Sequence, residues 1–367
     1  MESSVNRAPA VSGVGLVTAL GQSSDETWNA LLAGRAIADH ARAAGFSGDE
    51  RAIDMACRAA SEALGEAGWN KSLRTQVDSG IFVGTSKGAI ESWLRRDGDA
   101  GNFDLFTGLS RIDVELARRL GFEDGPRMTL SSACSSGLHA LVRAVMGIAS
   151  GEIRRALVVG VEASVHPLFI ASFKRLGVLA PEGHGCRPMD RDRRGFLVSE
   201  AAAAVCLQAG EEFAGRPNIR IDRWAIGGDG THLTGGDPEG KALRKLLARV
   251  MSPRCDLVHA HATGTIVNDP VELAAISDAG LTPWIYSHKG ALGHSLGAAG
   301  MVSVAINCLI HRHGKIPGNV RTQRPMDMGG LRCSDQVVET PIRRSVVCAA
   351  GFGGPLAVVG MESGDEA

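Results

Sequence analysis

The chain contains few aromatic residues and only one tyrosine. Phenylalanine, tryptophan and tyrosine together make up 4% of its 367 residues, whereas 44% of the residues are hydrophobic. A core of this composition must consist mainly of alanine, valine, leucine and isoleucine. The 47 glycines predict many tight turns and close contacts between backbone segments. The length allows two or three average domains or one large architecture.

Closely spaced cysteine pairs are also absent. The eight cysteines are scattered along the chain without a CxxC motif, which argues against a disulfide framework and a zinc ribbon. We therefore expect reduced, mostly buried thiols. The cysteines are at positions 57, 134, 186, 206, 255, 308, 333 and 348.

Neither charge nor hydrophobicity is concentrated in one part of the chain. The net charge of -1 provides no electrostatic footprint for nucleic acid or for an anionic membrane. No apolar run reaches the roughly 18–20 residues that a bilayer-spanning helix needs. Only Arg7 precedes a short, glycine-interrupted apolar segment, which is typical of neither a signal peptide nor an anchor. We expect a cytoplasmic protein with no nucleic-acid or membrane partner.

Apolar strands alternate with helical patterns throughout the sequence, which predicts an α/β fold with a sheet covered on both faces. The polar segment 210–217 is the best candidate boundary and divides the chain into residues 1–213 and 214–367. The predicted strands are 10–16, 80–84, 127–132, 156–162, 201–207, 256–261, 284–287, 345–349 and 356–361. The predicted helices are 24–33, 50–67, 113–120, 135–150, 240–250, 269–278 and 297–311.

The segment 131–137 reads Ser-Ser-Ala-Cys-Ser-Ser-Gly and places Cys134 where an apolar strand turns into a long helix. The helix dipole stabilises a thiolate by only ~0.3–1 kcal/mol, or about 2 kcal/mol when the group is partly buried. That is too little to bring a thiol pKa near ~8.5 well below neutral. A reactive cysteine here needs a histidine partner, and the two candidates are His261 and His294.

Each of these residues also has an ordinary structural interpretation. A single cysteine before a helix is usually an inert core residue, and a buried histidine is usually structural. A cysteine with two histidines can also bind zinc. However, the three residues lie far apart in sequence and no fourth ligand is evident, so we expect no metal site.

Three segments, in this order, resemble the β-ketoacyl-(acyl-carrier-protein) synthases, the condensing enzymes of fatty-acid and polyketide synthesis. The cysteine turn is the first. The segment 260–272 is similar to the family's AHGTxT…D…E motif, and 287–300 is similar to SxKxxxGHxxGAAG. The resemblance continues in 187–200 and in the Gly-Phe-Gly-Gly loop at 351–354. Its Cys, His and His are those of the elongating branch of the family.

The resemblance implies a thiolase fold with two pseudo-duplicated halves in a five-layer αβαβα sandwich. The half 1–213 would carry the nucleophilic cysteine, and the half 214–367 would carry both histidines and the Gly-Phe-Gly-Gly loop. No cofactor is implied, because the substrates would be carried on the phosphopantetheine of an acyl carrier protein.

The chemistry of condensation needs these residue types. A thiol can accept an acyl group from a thioester and release it again, because the bonds exchanged are of similar energy. Neutral imidazoles can stabilise the enolate of a decarboxylating malonyl unit by donating N–H bonds. The resemblance implies the remaining roles: network support for Lys289, oxyanion binding and gating for Phe352 and Gly353, and pantetheine binding for Thr263 and Thr265.

The function that we expect is decarboxylative Claisen condensation of an acyl-enzyme thioester with malonyl-carrier protein. The alternatives are a specialised polyketide or polyene ketosynthase that forms half of a heterodimer, a non-catalytic chain-length subunit, and a Cys-His hydrolase. We favour a homodimer because the strand 156–162 is apolar enough to need cover on its edge. The sequence departs from the family pattern at Ala262, where a glycine is usual, and at Pro355.

Overall fold

The computed structural model describes residues 8–48, 50–91, 108–210, 219–232 and 235–364. Within these residues the chain forms twelve strands. The strands are β1 Ala10–Val17, β2 Ser79–Gly84, β3 Arg127–Leu130, β4 Arg155–Glu162, β5 Ala201–Gln208, β6 Ile219–Gly228, β7 Leu257–His259, β8 Trp284–Tyr286, β9 Lys315–Ile316, β10 Val338–Glu339, β11 Arg344–Ala350 and β12 Pro355–Ser363.

The helices alternate with the strands, as the sequence predicts. They are Ser24–Leu32, Arg51–Ala67, Lys71–Arg74, Arg111–Leu120, Ser136–Ser150, Pro167–Arg175, Lys241–Val250, Asn268–Ser277, Lys289–Leu292 and Ala299–His313, with a 3-10 turn at Leu296–Ala298. Among the described residues, none of these helices is both long and apolar enough to cross a bilayer.

The two halves of the chain repeat one sheet topology. The first half has the strand order β3-β2-β4-β5-β1, and the second has β8-β7-β11-β12-β6. In each half the three outer strands are parallel to one another. The fourth strand, β5 or β12, is antiparallel to both of its neighbours. The sheets are joined where Ala10 pairs with Arg220. The expected pseudo-duplicated α/β architecture is confirmed, whereas the division at 213 stays a prediction. Of the boundary segment 210–217, all but Gly210 lies outside the described residues.

Five layers follow from the alternation of side chains along the strands. In β4, Leu157, Val159 and Val161 pack against an outer layer that contains the helices Arg51–Ala67 and Arg111–Leu120. The opposite face of both sheets packs against the central helices Ser136–Ser150 and Ala299–His313. A second outer layer, with Lys241–Val250 and Asn268–Ser277, covers the other sheet.

Some elements differ from the sequence prediction. The strand β6 and the helix Pro167–Arg175 were not predicted, and the predicted helix 297–311 begins as a separate 3-10 turn. The predicted strand 256–261 ends at His259, so that His261 lies in a loop. The prediction that the strand 156–162 lies at a sheet edge is wrong. This strand is β4, which lies between β2 and β5, so both of its edges are already paired.

A glycine at the end of β2 sets the position of one central helix. A Cβ atom on Gly84 would lie 2.5 Å from the Cα atom of Gly137 and 2.6 Å from its backbone nitrogen. Contacts this short with backbone atoms require the helix to move. We therefore expect Gly84→Ala to lower the free energy of unfolding by about 1–3 kcal/mol, as measured by urea denaturation.

The matched control is Gly65→Ala. Gly65 lies inside the helix Arg51–Ala67, and a Cβ atom there would meet nothing within 4 Å. This change should raise the free energy of unfolding by roughly 0.5–1 kcal/mol, the helix preference of alanine over glycine. Equal effects of the two substitutions would contradict the close packing at Gly84.

Candidate active site

A strained turn holds Cys134 between β3 and the helix Ser136–Ser150. Ala133 has a φ of 49°, in the left-handed region that residues other than glycine rarely adopt. The Ser136 hydroxyl donates to the Ala133 carbonyl at 2.6 Å and accepts the Ser132 N–H at 2.9 Å. These hydrogen bonds maintain the turn and place the thiol at the N-terminus of the helix.

The Gly-Phe-Gly-Gly loop packs directly on this turn. It connects β11 to β12, and a Cβ atom on Gly351 would lie 2.8 Å from the Ser132 carbonyl oxygen. The backbone of Phe352 lies near enough to the Cys134 thiol to lower its pKa against the larger effect of burial. Gly353 is exposed and has a φ of 84°, so it turns the chain after Phe352.

Two buried carboxylates hold the loop that carries His261. Glu272 accepts the His261 N–H at 2.6 Å and the Ala262 N–H at 2.7 Å. Asp269 accepts the N–H groups of Thr263 and Gly264 at 3.0 Å. Both carboxylates belong to the helix Asn268–Ser277, which therefore fixes the loop after β7. Ala262 has no positive φ, so its methyl group strains no backbone here.

Lys289 and His294 approach this loop from the segment 287–300. The Lys289 ammonium donates to the His261 carbonyl at 2.5 Å. The His294 N–H donates to the Leu197 carbonyl at 2.7 Å. The His294 ring packs edge-on against Phe196, with centroids 5.0 Å apart, and lies 5.4 Å from the His261 ring at an angle of 83°.

One cavity of about 540 Å³ joins most of the predicted site residues. Cys134, His261 and His294 line it, together with Thr263, Thr265 and Phe352. Lys289 and Gly353 do not line it. Lys289 is buried behind His261, and Gly353 lies outside on the loop. The chain therefore brings together residues that are more than a hundred positions apart, although their individual roles stay predictions.

Burial keeps the reactive groups uncharged. It raises the pKa of the Cys134 thiol to about 11, although the positive charges of Lys87 and Lys289 act in the opposite direction. Burial also lowers the pKa values of His261 and His294 well below the usual range, and the Lys289 charge adds to this effect. No histidine hydrogen-bonds to Cys134 within the described part of the chain. At neutral pH the site thus holds a thiol and two neutral imidazoles.

The sequence predicts no role for two carboxylates and one aromatic ring that the structure places in the site. Asp269 and Glu272 stand in a motif, but its spacing did not show that they bind backbone N–H groups. Phe196 follows the Arg-Arg-Gly segment, and nothing in its spacing predicts contact with His294. Across the described ranges, no cluster of three histidine, cysteine or acidic side chains is arranged to hold a metal ion.

Both halves of the chain match the domain models of one family. Residues 49–212 match the family described as beta-ketoacyl synthase, N-terminal domain, and residues 219–323 match its C-terminal domain. The chain belongs to the β-ketoacyl synthase family.

Individual relatives agree with this assignment. The chain is 38% identical over 207 residues to "3-oxoacyl-[acyl-carrier-protein] synthase 2" of Mycobacterium bovis. The matched region covers 52% of this chain and 49% of that protein. The chain thus spans about half the length of that relative. It is 25% identical to "Polyketide biosynthesis malonyl-ACP decarboxylase PksF" of Bacillus subtilis over 94% of both chains.

A solved structure covers nearly the whole chain. It is "The ishigamide ketosynthase/chain length factor", with a TM-score of 0.88 and 26% identity over 98% of this chain and 100% of that one. This likeness confirms the expected thiolase-type architecture.

The raised pKa of Cys134 predicts its reactivity. With a pKa of about 11, the thiolate fraction should increase about tenfold each time the pH rises by one unit, as long as the pH stays below that pKa. We expect the rate of Cys134 alkylation by iodoacetamide to rise in this way from pH 7 to pH 9, measured by peptide mapping. Cys134→Ala gives the background from other cysteines. A rate that levels off below pH 8 would show a lowered pKa instead.

Proposed function

We propose that this chain catalyses decarboxylative Claisen condensation between an acyl group on Cys134 and a malonyl unit on acyl carrier protein, in fatty-acid or polyketide-type synthesis. The observation that carries the proposal is the shared cavity of Cys134, His261 and His294, closed on one side by the Phe352 loop. The carrier protein in the printed name of the Mycobacterium bovis relative supports the choice of partner. No bound cofactor is required, and a cytoplasmic location stays a prediction.

The first half-reaction transfers the acyl group. The Cys134 sulfur attacks the thioester carbon of the acyl carrier, and the bond between that carbon and the pantetheine sulfur breaks. The proton of the Cys134 thiol passes to the leaving pantetheine sulfur. The backbone N–H of Phe352, in the loop that lines the cavity, would donate to the oxyanion and stabilise the intermediate.

The second half-reaction forms the carbon–carbon bond. Malonyl thioester loses CO2, and the electron pair of the broken bond forms an enolate whose oxygen accepts N–H bonds from His261 and His294. Each neutral ring keeps one N–H group, which can donate a hydrogen bond to the enolate oxygen. The enolate carbon then attacks the acyl group on Cys134, and the thiolate leaves and takes up a proton from water.

The other site residues support these steps. Lys289 keeps the His261 carbonyl in place and provides the positive charge nearest to the buried carboxyl of Glu272. Thr263 and Thr265 line the cavity, and their hydroxyl groups lie 3.1 Å from each other, where they can bind the amides of a pantetheine arm. Phe352 lines the same cavity as Cys134, and we propose that it gates access to the thiol.

Substitution of the histidines should separate the half-reactions. We expect His294→Ala and His261→Ala to retain some acylation of Cys134 but to lose decarboxylation by ~10²–10³, the usual cost of removing one oxyanion donor. Acylation is followed by intact-protein mass spectrometry, and decarboxylation by release of labelled CO2. The acylation control is Cys134→Ala, which should form no adduct.

Two results would contradict these assignments. CO2 release at the wild-type rate from a histidine variant would exclude its role in enolate stabilisation, and a full acyl adduct on Cys134→Ala would exclude the nucleophile. The products formed from malonyl-carrier thioester and an acyl primer separate the alternatives. A synthase gives ketoacyl product, a decarboxylase gives CO2 alone, a hydrolase gives free acid, and a chain-length subunit gives none of these.

A two-fold dimer is the assembly that we propose, although its interface is not the strand predicted from the sequence. In the described residues, β3 is the open edge of the first half-sheet, and its Met128 is 37% exposed. The helix Pro167–Arg175 also buries none of its residues, and Leu168 is 50% exposed. An uncovered edge strand and an exposed apolar helix favour contact with another chain. The ketosynthase/chain length factor neighbour makes a related second subunit the alternative.

Light scattering on the purified protein distinguishes the two assemblies. We expect a homodimer of twice 38.4 kDa that Met128→Asp converts to monomer, because a charge at the edge strand disfavours pairing. Val77→Asp is the control, since Val77 is 72% exposed and lies outside β3. A wild-type mass of 38.4 kDa at micromolar concentration would reject the homodimer and favour a missing partner subunit.

A further inference from the structure

The side chain of Lys87 lies beside the cysteine turn, yet none of the steps above uses it. Lys87 follows the end of β2, and its ammonium donates to the Ser86 hydroxyl at 2.9 Å. The Ser131 hydroxyl, in the turn that carries Cys134, lies 3.5 Å from the Ser86 carbonyl oxygen. The backbone at Lys87 is therefore packed against the nucleophile's own loop.

Two aromatic rings hold the ammonium group. Its nitrogen is 5.0 Å from the centroid of Phe169 and 5.6 Å from that of Phe173, distances at which a cation is attracted to a ring face. Phe173 in turn packs edge-on against Phe196 at 5.7 Å and lies 6.4 Å from Phe352. Lys87 thus lies behind the aromatic wall that bounds the cavity.

Lys87 has no carboxylate partner within 4.0 Å among the described residues. The nearest candidate, Glu162, binds other groups: it accepts the Ser86 N–H and hydroxyl, the Gly297 N–H at 3.1 Å and the Ser164 hydroxyl at 2.7 Å. A hydroxyl group and two aromatic rings therefore contact the half-buried ammonium, but no anion in the described part of the chain neutralises its charge. Its charge acts on Cys134, whose thiol pKa it lowers against the effect of burial.

The position of Lys87 relative to the cavity bears on the ligand that it would contact. During condensation the acyl group on Cys134 and the pantetheine arm of the malonyl carrier must be present together. With the arm against Thr263 and Thr265, the acyl group would extend to another side of the sulfur. Phe173 packs against the apolar cluster that contains Cys134, and the charge of Lys87 acts on that thiol, but neither side chain lines the cavity.

We propose, on the basis of the function proposed above, that Lys87 selects acyl groups that end in a carboxylate. The terminal carboxylate would pair with the ammonium group and replace the missing anion, while the methylene groups lie against Phe173. A simple alkyl chain of the same length would instead cover the ammonium with apolar atoms and leave its charge without an anion. Lys87 is accordingly a specificity-determining residue of the acyl-binding side.

The test compares two four-carbon acyl groups, succinyl and butyryl, as N-acetylcysteamine thioesters. The rate of acyl-adduct formation on Cys134 is measured by intact-protein mass spectrometry for the wild type, Lys87→Met and Lys87→Arg. The decisive quantity is the ratio of the succinyl rate to the butyryl rate. Any change in the nucleophilicity of the thiol affects both rates equally and cancels in this ratio.

We expect Lys87→Met to lower the ratio by about tenfold relative to the wild type, the size of one charge-assisted hydrogen bond. Lys87→Arg, which keeps the charge, should stay close to the wild-type ratio. Butyryl acylation of Lys87→Met at a measurable rate, even one lowered by loss of the positive charge beside the thiol, would show that its site is intact. If that variant does not fold, Lys87→Gln provides the same comparison.

Two outcomes would overturn the proposal, and only the second would also reject the proposed function. An unchanged ratio in Lys87→Met and Lys87→Gln would reject carboxylate selection by Lys87 while Cys134 acylation still supports the synthase. Failure of both thioesters to acylate the wild-type Cys134 would reject the proposed function and this inference with it.

Discussion

The site depends on the close approach of two helices in the middle layer. A Cβ atom on Gly137 would lie 2.9 Å from Met301 Cγ, and one on Gly300 would lie 2.7 Å from Leu138 Cγ. Larger residues at these glycines would separate the helix N-termini. Cys134 precedes one helix and His294 precedes the other, so this contact, made by one helix from each half, brings the nucleophile and a histidine into a single cavity.

Burial, a consequence of that packing, then determines the charge state of the site. It raises the pKa of Cys134 and lowers those of His261 and His294, so the resting site holds neutral groups. Neutral imidazoles suit the stabilisation of an enolate, since they offer N–H donors without a competing charge. In the proposed acyl transfer the thiol has to lose its proton, and the turn that Ser136 maintains holds the thiol at the N-terminus of the helix.

The sequence predicted the architecture well where the pattern was local. The apolar strands and the central helices recur within one or two residues of their predicted bounds. The strand β6 was missed although Ile219 and Ile221 alternate with polar residues, because only a few positions carry the signal. The edge strand was misidentified for a different reason. Apolar content shows that β4 is buried, but not that β2 and β5 are the strands that bury it.

The sequence by itself determined the family and the α/β class, and it predicted Cys134, His261 and His294 as site residues, because each of them stands in a motif of fixed local spacing. Only the tertiary structure decided which groups support them. Glu272 holds the His261 loop through backbone N–H groups, and Lys87 stands over rings that lie more than eighty positions later. Such contacts arise when distant segments pack together, and no local periodicity encodes them.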